Sequence, residues 1–410
     1  MTTPPAAPPD ICMERAVSSV VPRHGVAAVL LLLLMACAKN PAALAAPAAA
    51  PVHHVFVIVL ENEPYEVTFG DHSQAPYLAY RLPKLGALLS QYYSIGHDSL
   101  GNYIAMISGQ APNAATQSDC KIYDEFERTS PELDANGQML GEGCIYPARV
   151  RTLADQLEAA GLSWKGYMED MGADAAGESA TCGHVAIGVE EHTQETSARD
   201  QYAAWHNPFV YFHSIIDNPT RCAQHVVDLG HLRQDLRHVE TTSNFIFITP
   251  NRCHDGHDAP CRNGEPGGLI SADTFLRQWV PRILAAPAFR RDGLLVVIFD
   301  EGVDAAACCG EQGLPNGPPP GIFGPGGGRI GAVLLSPFIK PGTVSATPYN
   351  HYSLLRTMED IFGVTHLGYA ASSSLRAFGD DIFTAPPETA ANAPVRHAVA
   401  SGRHGMPHNL

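Results

Sequence analysis

The chain has 410 residues, with 42 acidic against 26 basic side chains and a formal charge of −16. That balance argues against a partner held through nucleic-acid phosphates, which needs a basic footprint. The mixed apolar and polar content reads as globular, and the length suits one large domain with insertions or two domains. An anionic substrate would need a local metal or histidine site, and nineteen histidines supply material for one.

Residues 1–50 read as a signal peptide and linker. Arg15, Arg23 and His24 precede the apolar run Val26 to Leu34, and small residues follow. The run is too short to span a membrane comfortably. Leu34-Met35-Ala36-Cys37 also fits a bacterial lipobox that would lipidate Cys37, whereas cleavage within Ala42 to Ala50 is the alternative; either exports the protein to the periplasm, the medium or the outer side of the membrane. In an exported chain the eight cysteines beyond this region favour disulfides over zinc. Cys120 with Cys144 and Cys253 with Cys261 are the first pairings to expect, and Cys308-Cys309 either bridge each other or pair elsewhere.

From His54 to Leu60 the chain is apolar and rich in β-branched residues, which predicts a strand buried on both faces. Leu82 to Tyr92 has helical spacing, and a second helix opens at Ser99 and ends at Ser108-Gly109. Residues 113–147 are polar and read as an excursion. Val150 to Ala160 predicts a helix, Ser163 to Tyr167 a strand, and residues 170–201 are again small and polar, so 113–225 is the candidate cap insertion. Val226 to Leu236 predicts a helix, Asn244 to Thr249 a strand, Leu276 to Leu284 a helix and Leu294 to Phe299 a strand. The Gly/Pro-rich stretch 305–328 is a loop, Ile330 to Leu335 a strand and Tyr352 to Phe362 a helix. From about Ala385 the tail reads as disordered, leaving 51–384 as the catalytic domain. This alternation implies an α/β fold with a doubly wound, mainly parallel sheet.

Two acidic pairs, Glu61-Asn62 and Asp300-Glu301, end two of the buried strands. Groups just past the carboxyl ends of such strands face the ligand crevice, and carboxylate and amide oxygens are hard ligands suited to a divalent metal ion. A capping role is the alternative for either pair alone. Ser99, at a helix N-terminus where backbone N–H groups face an incoming anion, is the candidate nucleophile, its hydroxyl pKa lowered by a bound metal; a plain N-cap is the alternative. Asn102, one turn on, is placed to donate to a phosphoryl oxygen. His97 either assists a leaving group or closes a turn. The cluster Pro250 to Asp258 follows another strand, and its Asp255, His257 and Asp258 suit metal or phosphate, with His254 at the surface. His351 precedes the last helix and is placed to contact the phosphoryl group.

Taken together in order, Leu60-Glu61-Asn62-Glu63-Pro64-Tyr65, His97 to Tyr103 with Ser108-Gly109-Gln110, His206-Asn207-Pro208-Phe209, Asp255-Gly256-His257-Asp258, Asp300-Glu301 and Tyr349 to Arg356 resemble the bacterial phosphoesterase family of acid phosphatases and phospholipases C. The resemblance implies an alkaline phosphatase-like fold with a cap-like insertion, and one divalent metal held by Glu61, Asn62, Ser99, Asp300 and Glu301. It implies a phosphorylated serine intermediate on Ser99, with His257 and His351, and less directly His206, as phosphate-contacting or proton-transferring residues. Gly101 stands where the motif usually has proline. Phosphomonoesters, phosphoinositides among them, are the expected substrates. A phospholipase C would instead need an apolar rim, for which residues 203–216 are the candidate, and a binding protein using the same crevice would need no nucleophile.

Overall fold

His54–Leu60 (β1) is buried along its whole length because it lies in the middle of a sheet, with a parallel neighbour on each side. The computed structural model describes residues 51–174, 178–310 and 325–383. The leader with Cys37, the linker to residue 50, the middle of the Gly/Pro loop and the tail from 385 lie outside them. The other strands of this sheet are Ala87–Leu89 (β2), Trp164–Met168 (β3), Val226–Asp228 (β4), Phe245–Thr249 (β5), Gly293–Phe299 (β6), Ala332–Leu335 (β7) and Thr343–Ser345 (β8). Their order is β8-β2-β7-β6-β1-β5-β3-β4. Only β7 runs antiparallel to its neighbours, so the mainly parallel sheet expected from the alternation is present.

Register decides where the site forms. Leu60 pairs with Phe299, so the chain leaves β1 at Glu61 and β6 at Asp300 on the same level, side by side. Asp300 N–H donates to Leu60 O at 2.8 Å, and Glu61 N–H donates to Asp255 O at 2.8 Å, which ties in the loop that follows β5.

Three expectations change. The helix expected over Leu82 to Tyr92 is instead β2 followed by the short strand Tyr92–Tyr93, which pairs with Tyr349–Asn350. A Cβ on Gly86 would meet Leu334 O at 2.0 Å, so the chain there lies flat against β7 and pairs with it. The helix expected over Val226 to Leu236 begins with β4, because Val226 and Val227 complete the sheet edge beside β3; a 3-10 turn over Leu229–His231 follows, and α-helix is confined to Leu232–Asp235. The cap insertion expected over 113–225 is interrupted by core. Helix Leu153–Ala159, started by a reciprocal Thr152/Asp155 capping box, leads into β3, which pairs with β5 in the central sheet, so the chain returns to the core between two excursions.

Helix Ser99–Ser108 is buried at all ten positions and ends at Gly109, whose φ of +67° suits glycine. Gly101 permits close packing: a Cβ there would lie 2.8 Å from the Pro112 ring. Disulfides join Cys120 to Cys144 and Cys253 to Cys261, as expected, and also Cys182 to Cys222 and Cys308 to Cys309. Among the described residues no helix is long and apolar enough to cross a membrane.

Candidate active site

Ser99 opens its helix directly over the end of β1. Its Oγ donates to Glu61 Oε2 at 2.8 Å, and Tyr103, one turn along the same face, donates to Glu61 Oε1 at 2.8 Å. The turn before the helix is tight: Asp98 has φ +62° and ψ 134°, a conformation that non-glycine residues rarely adopt. Asn102 holds that turn. Its Oδ1 accepts from the N–H groups of Ile95 and Gly96 at 3.1 and 3.2 Å, and its Nδ2 donates to Gly96 O at 3.0 Å. The amide expected to meet a phosphoryl oxygen is therefore spent on the backbone that positions Ser99.

Asp300 and Glu301 leave β6 beside it. The Asn62 and Glu301 N–H groups both donate to Asp300 Oδ1, at 3.1 and 2.6 Å. Asp300 Oδ2 and Asn62 Oδ1 are buried and accept no hydrogen bond. Behind Asp300, the Nε2–H of His351 donates to the Asp300 carbonyl at 2.6 Å, and Tyr92 hydroxyl lies 3.2 Å from Nδ1. Burial holds this imidazole down at about 4, so it is neutral, and it positions the acidic turn from behind instead of contacting a phosphoryl group. His97 plays a similar part for Glu301: Nδ1 lies 2.9 Å from Glu301 Oε2, and Nε2–H donates to Asp304 O at 2.9 Å. The hydrogen bond to Glu301 raises the His97 pKa, and with both ring nitrogens facing acceptors it supports a carboxylate in place of a leaving group.

The third wall comes from the loop after β5. Asp255 is buried, its Oδ1 accepts from His257 N–H at 2.8 Å, and its Oδ2 lies 3.5 Å from His206 Nδ1. The other ring nitrogen of His206 is 3.2 Å from Glu61 Oε1, and its ring stacks on Tyr103 with centroids 5.2 Å apart. Burial lowers the His206 pKa well below the ordinary imidazole value, and the ring lies between the Glu61 and Asp255 carboxyl groups. Asp258 Oδ1 accepts from Arg252 Nη2 at 2.9 Å and from His257 Nδ1–H at 2.8 Å, and thus aims both side chains. His254 bridges Glu169 and Glu265, at 2.9 and 3.2 Å.

These walls enclose a cavity of about 220 Å³. Of the residues singled out in the sequence, Asn62, Ser99, His257 and Glu301 line it. Glu61, Asp255 and Asp300 are fully buried beside it; His206 touches Glu61 and Asp255, His351 the Asp300 carbonyl, His97 Glu301, Asn102 the turn before Ser99, and Asp258 both Arg252 and His257. Asp98, Asp119, Trp205 and Arg252 also line it; the sequence gave Asp98, Asp119 and Arg252 no individual role and Trp205 only a place in the candidate apolar rim 203–216. Arg252 stood inside the Pro250 to Asp258 cluster and Trp205 beside His206, so position alone pointed to both. Asp119 had no such signal; it reaches the site because its Oδ1 accepts from Leu100 N–H at 3.0 Å, next to the Cys120–Cys144 bridge.

The acidic groups are electrostatically costly as they stand. Burial, with Asp300 and Asp255 nearby, raises Glu61 well above the carboxylate range; burial pushes Asp255 to about 7 and Glu301 to about 8. The donor chemistry of this set suits a hard divalent cation: the atoms are carboxylate and amide oxygens, and two of them, on Asn62 and Asp300, are buried without a hydrogen-bond donor. Among the described residues the tightest His/Cys/Asp/Glu group, Cys253, His254 and Glu265, is no rival, because the Cys253 sulfur is in a disulfide.

A model of the Phosphoesterase family matches residues 71–365. The chain is similar to a probable acid phosphatase of Kluyveromyces lactis, 27% identical over 316 residues that cover 76% of this chain and 59% of that protein. It is 26% identical to a phosphate-repressible acid phosphatase of Penicillium chrysogenum, with the same coverage of 76% and 59%, so it spans under two thirds of the length of these relatives. It is also 26% identical to a phosphatidylinositol-3-phosphatase of Mycobacterium tuberculosis, covering 80% of this chain and 83% of that one. Among solved structures, an alkaline phosphatase superfamily protein from Vibrio parahaemolyticus aligns with a TM-score of 0.46 at 12% identity, over 79% of this chain and 69% of that one.

Proposed function

The chain belongs to the Phosphoesterase family, and from that premise we propose that it is an exported hydrolase of phosphomonoesters, phosphoinositides included, with Ser99 as nucleophile. The observation that carries this reading is Ser99 itself: a hydroxyl at a helix N-terminus, in a cavity shared with Arg252 and His257, with its proton directed at the buried Glu61. With the proton aimed at Glu61, an Oγ lone pair is left for a phosphorus atom in the cavity. Attack forms the Ser99–phosphorus bond, the ester oxygen leaves, and water then releases phosphate from the phosphoseryl group. The hydrogen bond from His257 to Asp258 raises the imidazole pKa and so favours its protonated form, which makes His257 the proton donor to the leaving oxygen in this reading. Glu61, Asn62, Ser99, Asp300 and Glu301 would hold one divalent cation. When bound, such an ion supplies positive charge that lowers the Ser99 hydroxyl pKa.

The monoester reading gains from a second observation. Of residues 203–216, the candidate rim of a phospholipase C, 203–212 and Ile215 are buried and His213, Ser214 and Ile216 are half-buried, so the segment offers no exposed apolar rim, although Trp205 reaches the cavity wall. Disulfide pairing of all eight described cysteines supports export to an oxidising compartment, with lipidation of Cys37 one route to membrane attachment. The test is turnover of a phosphomonoester and of phosphatidylcholine by the purified protein and by Ser99→Ala. Phosphate release from the monoester, absent in the variant, is expected. Diacylglycerol release alone would move the protein to phospholipase C, and silence on both, with phosphate still bound, would make it a binding protein.

A further inference from the structure

If Ser99 attacks a phosphoryl group, the cavity must hold that group's outer oxygens, and among its lining residues only Arg252 carries a permanent positive charge. Its place is set from several sides. Asp258 Oδ1 accepts from Nη2 at 2.9 Å, and the guanidinium carbon lies 5.5 Å from the centre of the Trp205 ring, itself part of the cavity wall. Arg252 N–H donates to Gln201 O at 2.9 Å, which fastens the β5 loop to the excursion that carries Trp205. One residue further on, the Cys253–Cys261 bridge closes the loop.

An ion pair with Asp258 alone would need neither the cavity nor the ring. A planar guanidinium that stacks on an aromatic face and offers a fork of N–H donors is the group that matches phosphoryl oxygens, and lysine cannot reproduce it. The other side chains that line the cavity are acidic, neutral or imidazole, so Arg252 is the one lining side chain whose positive charge does not depend on protonation or on a bound ion.

Resting on the hydrolase reading above, we propose that Arg252 is the clamp for the non-bridging phosphoryl oxygens and that, braced by Trp205, it makes the site select terminal, doubly charged phosphoryl groups over diesters. A monoester presents more outer oxygens and more charge to such a fork than a diester does.

The test compares wild type, Arg252→Lys and Arg252→Gln in the full chain. Readouts are kcat/KM for p-nitrophenyl phosphate and for bis-p-nitrophenyl phosphate, the calorimetric Kd for inorganic phosphate, and the thermal midpoint. Arg252→Lys, which keeps the charge and the Asp258 pair and carries the test if Arg252→Gln does not fold, is expected to lose about 10- to 100-fold in monoester kcat/KM. The monoester-to-diester preference should fall at least about 10-fold and the phosphate Kd should rise by a similar factor. Preference and Kd within about threefold of wild type, with turnover intact, would reduce Arg252 to a structural partner of Asp258. Wild-type protein that binds phosphate in an Arg252-dependent way but turns over neither ester would overturn the hydrolase reading and the selectivity with it, leaving only the anion contact.

Discussion

The two halves of the site are built in opposite ways. The acidic half, Glu61, Asn62, Asp300 and Glu301, comes from adjacent central strands whose register puts the two pairs on one level, and every supporting group behind it is buried. The cationic half, Arg252 and His257, sits on a loop closed by a disulfide, and its neighbours Trp205 and Asp119 come from the two excursions. The difference separates tasks. Buried carboxylates that repel one another require a fixed frame, which a parallel sheet supplies, whereas the groups proposed to meet a substrate are left on segments that vary without disturbing the sheet.

Substitutions break or sharpen that comparison. The largest effect belongs to the residue between the halves: Ser99→Ala should lower kcat by about 10³-fold or more while the far-ultraviolet dichroism is unchanged, and a smaller loss would mean that another group attacks. Next comes the acidic half. Asp300→Asn is expected to weaken the affinity for a divalent cation by more than about 100-fold, read as the loss of the rise in thermal midpoint when manganese is added. An undiminished rise in the variant would remove Asp300 from the ligand set. The supports should cost less: His97→Gln and His351→Gln each about 10- to 100-fold in that affinity, by freeing Glu301 and the Asp300 backbone. Equal effects from these and from Asp300→Asn would erase the distinction between ligand and support.

The smallest effect lies outside the site. Glu359 is fully buried, its Oε1 accepts from Leu367 N–H at 2.8 Å, and burial raises its pKa to about 9. The folded state therefore keeps a proton that the unfolded chain gives up near the ordinary glutamate value. Its contribution to stability is complete at acid pH and is lost as pH rises toward 9, with a limiting slope of roughly 1.4 kcal/mol per pH unit. Glu359→Gln should flatten that part of the curve in denaturant titrations at several pH values. An unchanged slope would place the titration elsewhere.

Much of the acidic half was legible in the sequence because it obeys short-range rules: a buried apolar run, then a carboxylate where it stops. The helix at Ser99 was legible for the same reason. Asn102, His97 and His351 were legible as members of the site but not in their roles, since their partners, the 95–98 turn, Glu301 and the Asp300 carbonyl, are set by tertiary packing. Leu82 to Tyr92 was misread because helical spacing and pairing with Ala332–Leu335 compete, and the edge of the sheet wins. Asp119 left no trace, because a disulfide across a polar excursion brings it to the helix start.

The central claim is that Ser99 becomes phosphorylated. Acid-quenching the protein during turnover of a phosphomonoester, followed by peptide mass spectrometry, addresses it directly. The account predicts phosphate on the peptide that contains Ser99, present in wild type and absent from Ser99→Ala. Sustained phosphate release with no phosphoserine at Ser99, or undiminished turnover by Ser99→Ala, would contradict it.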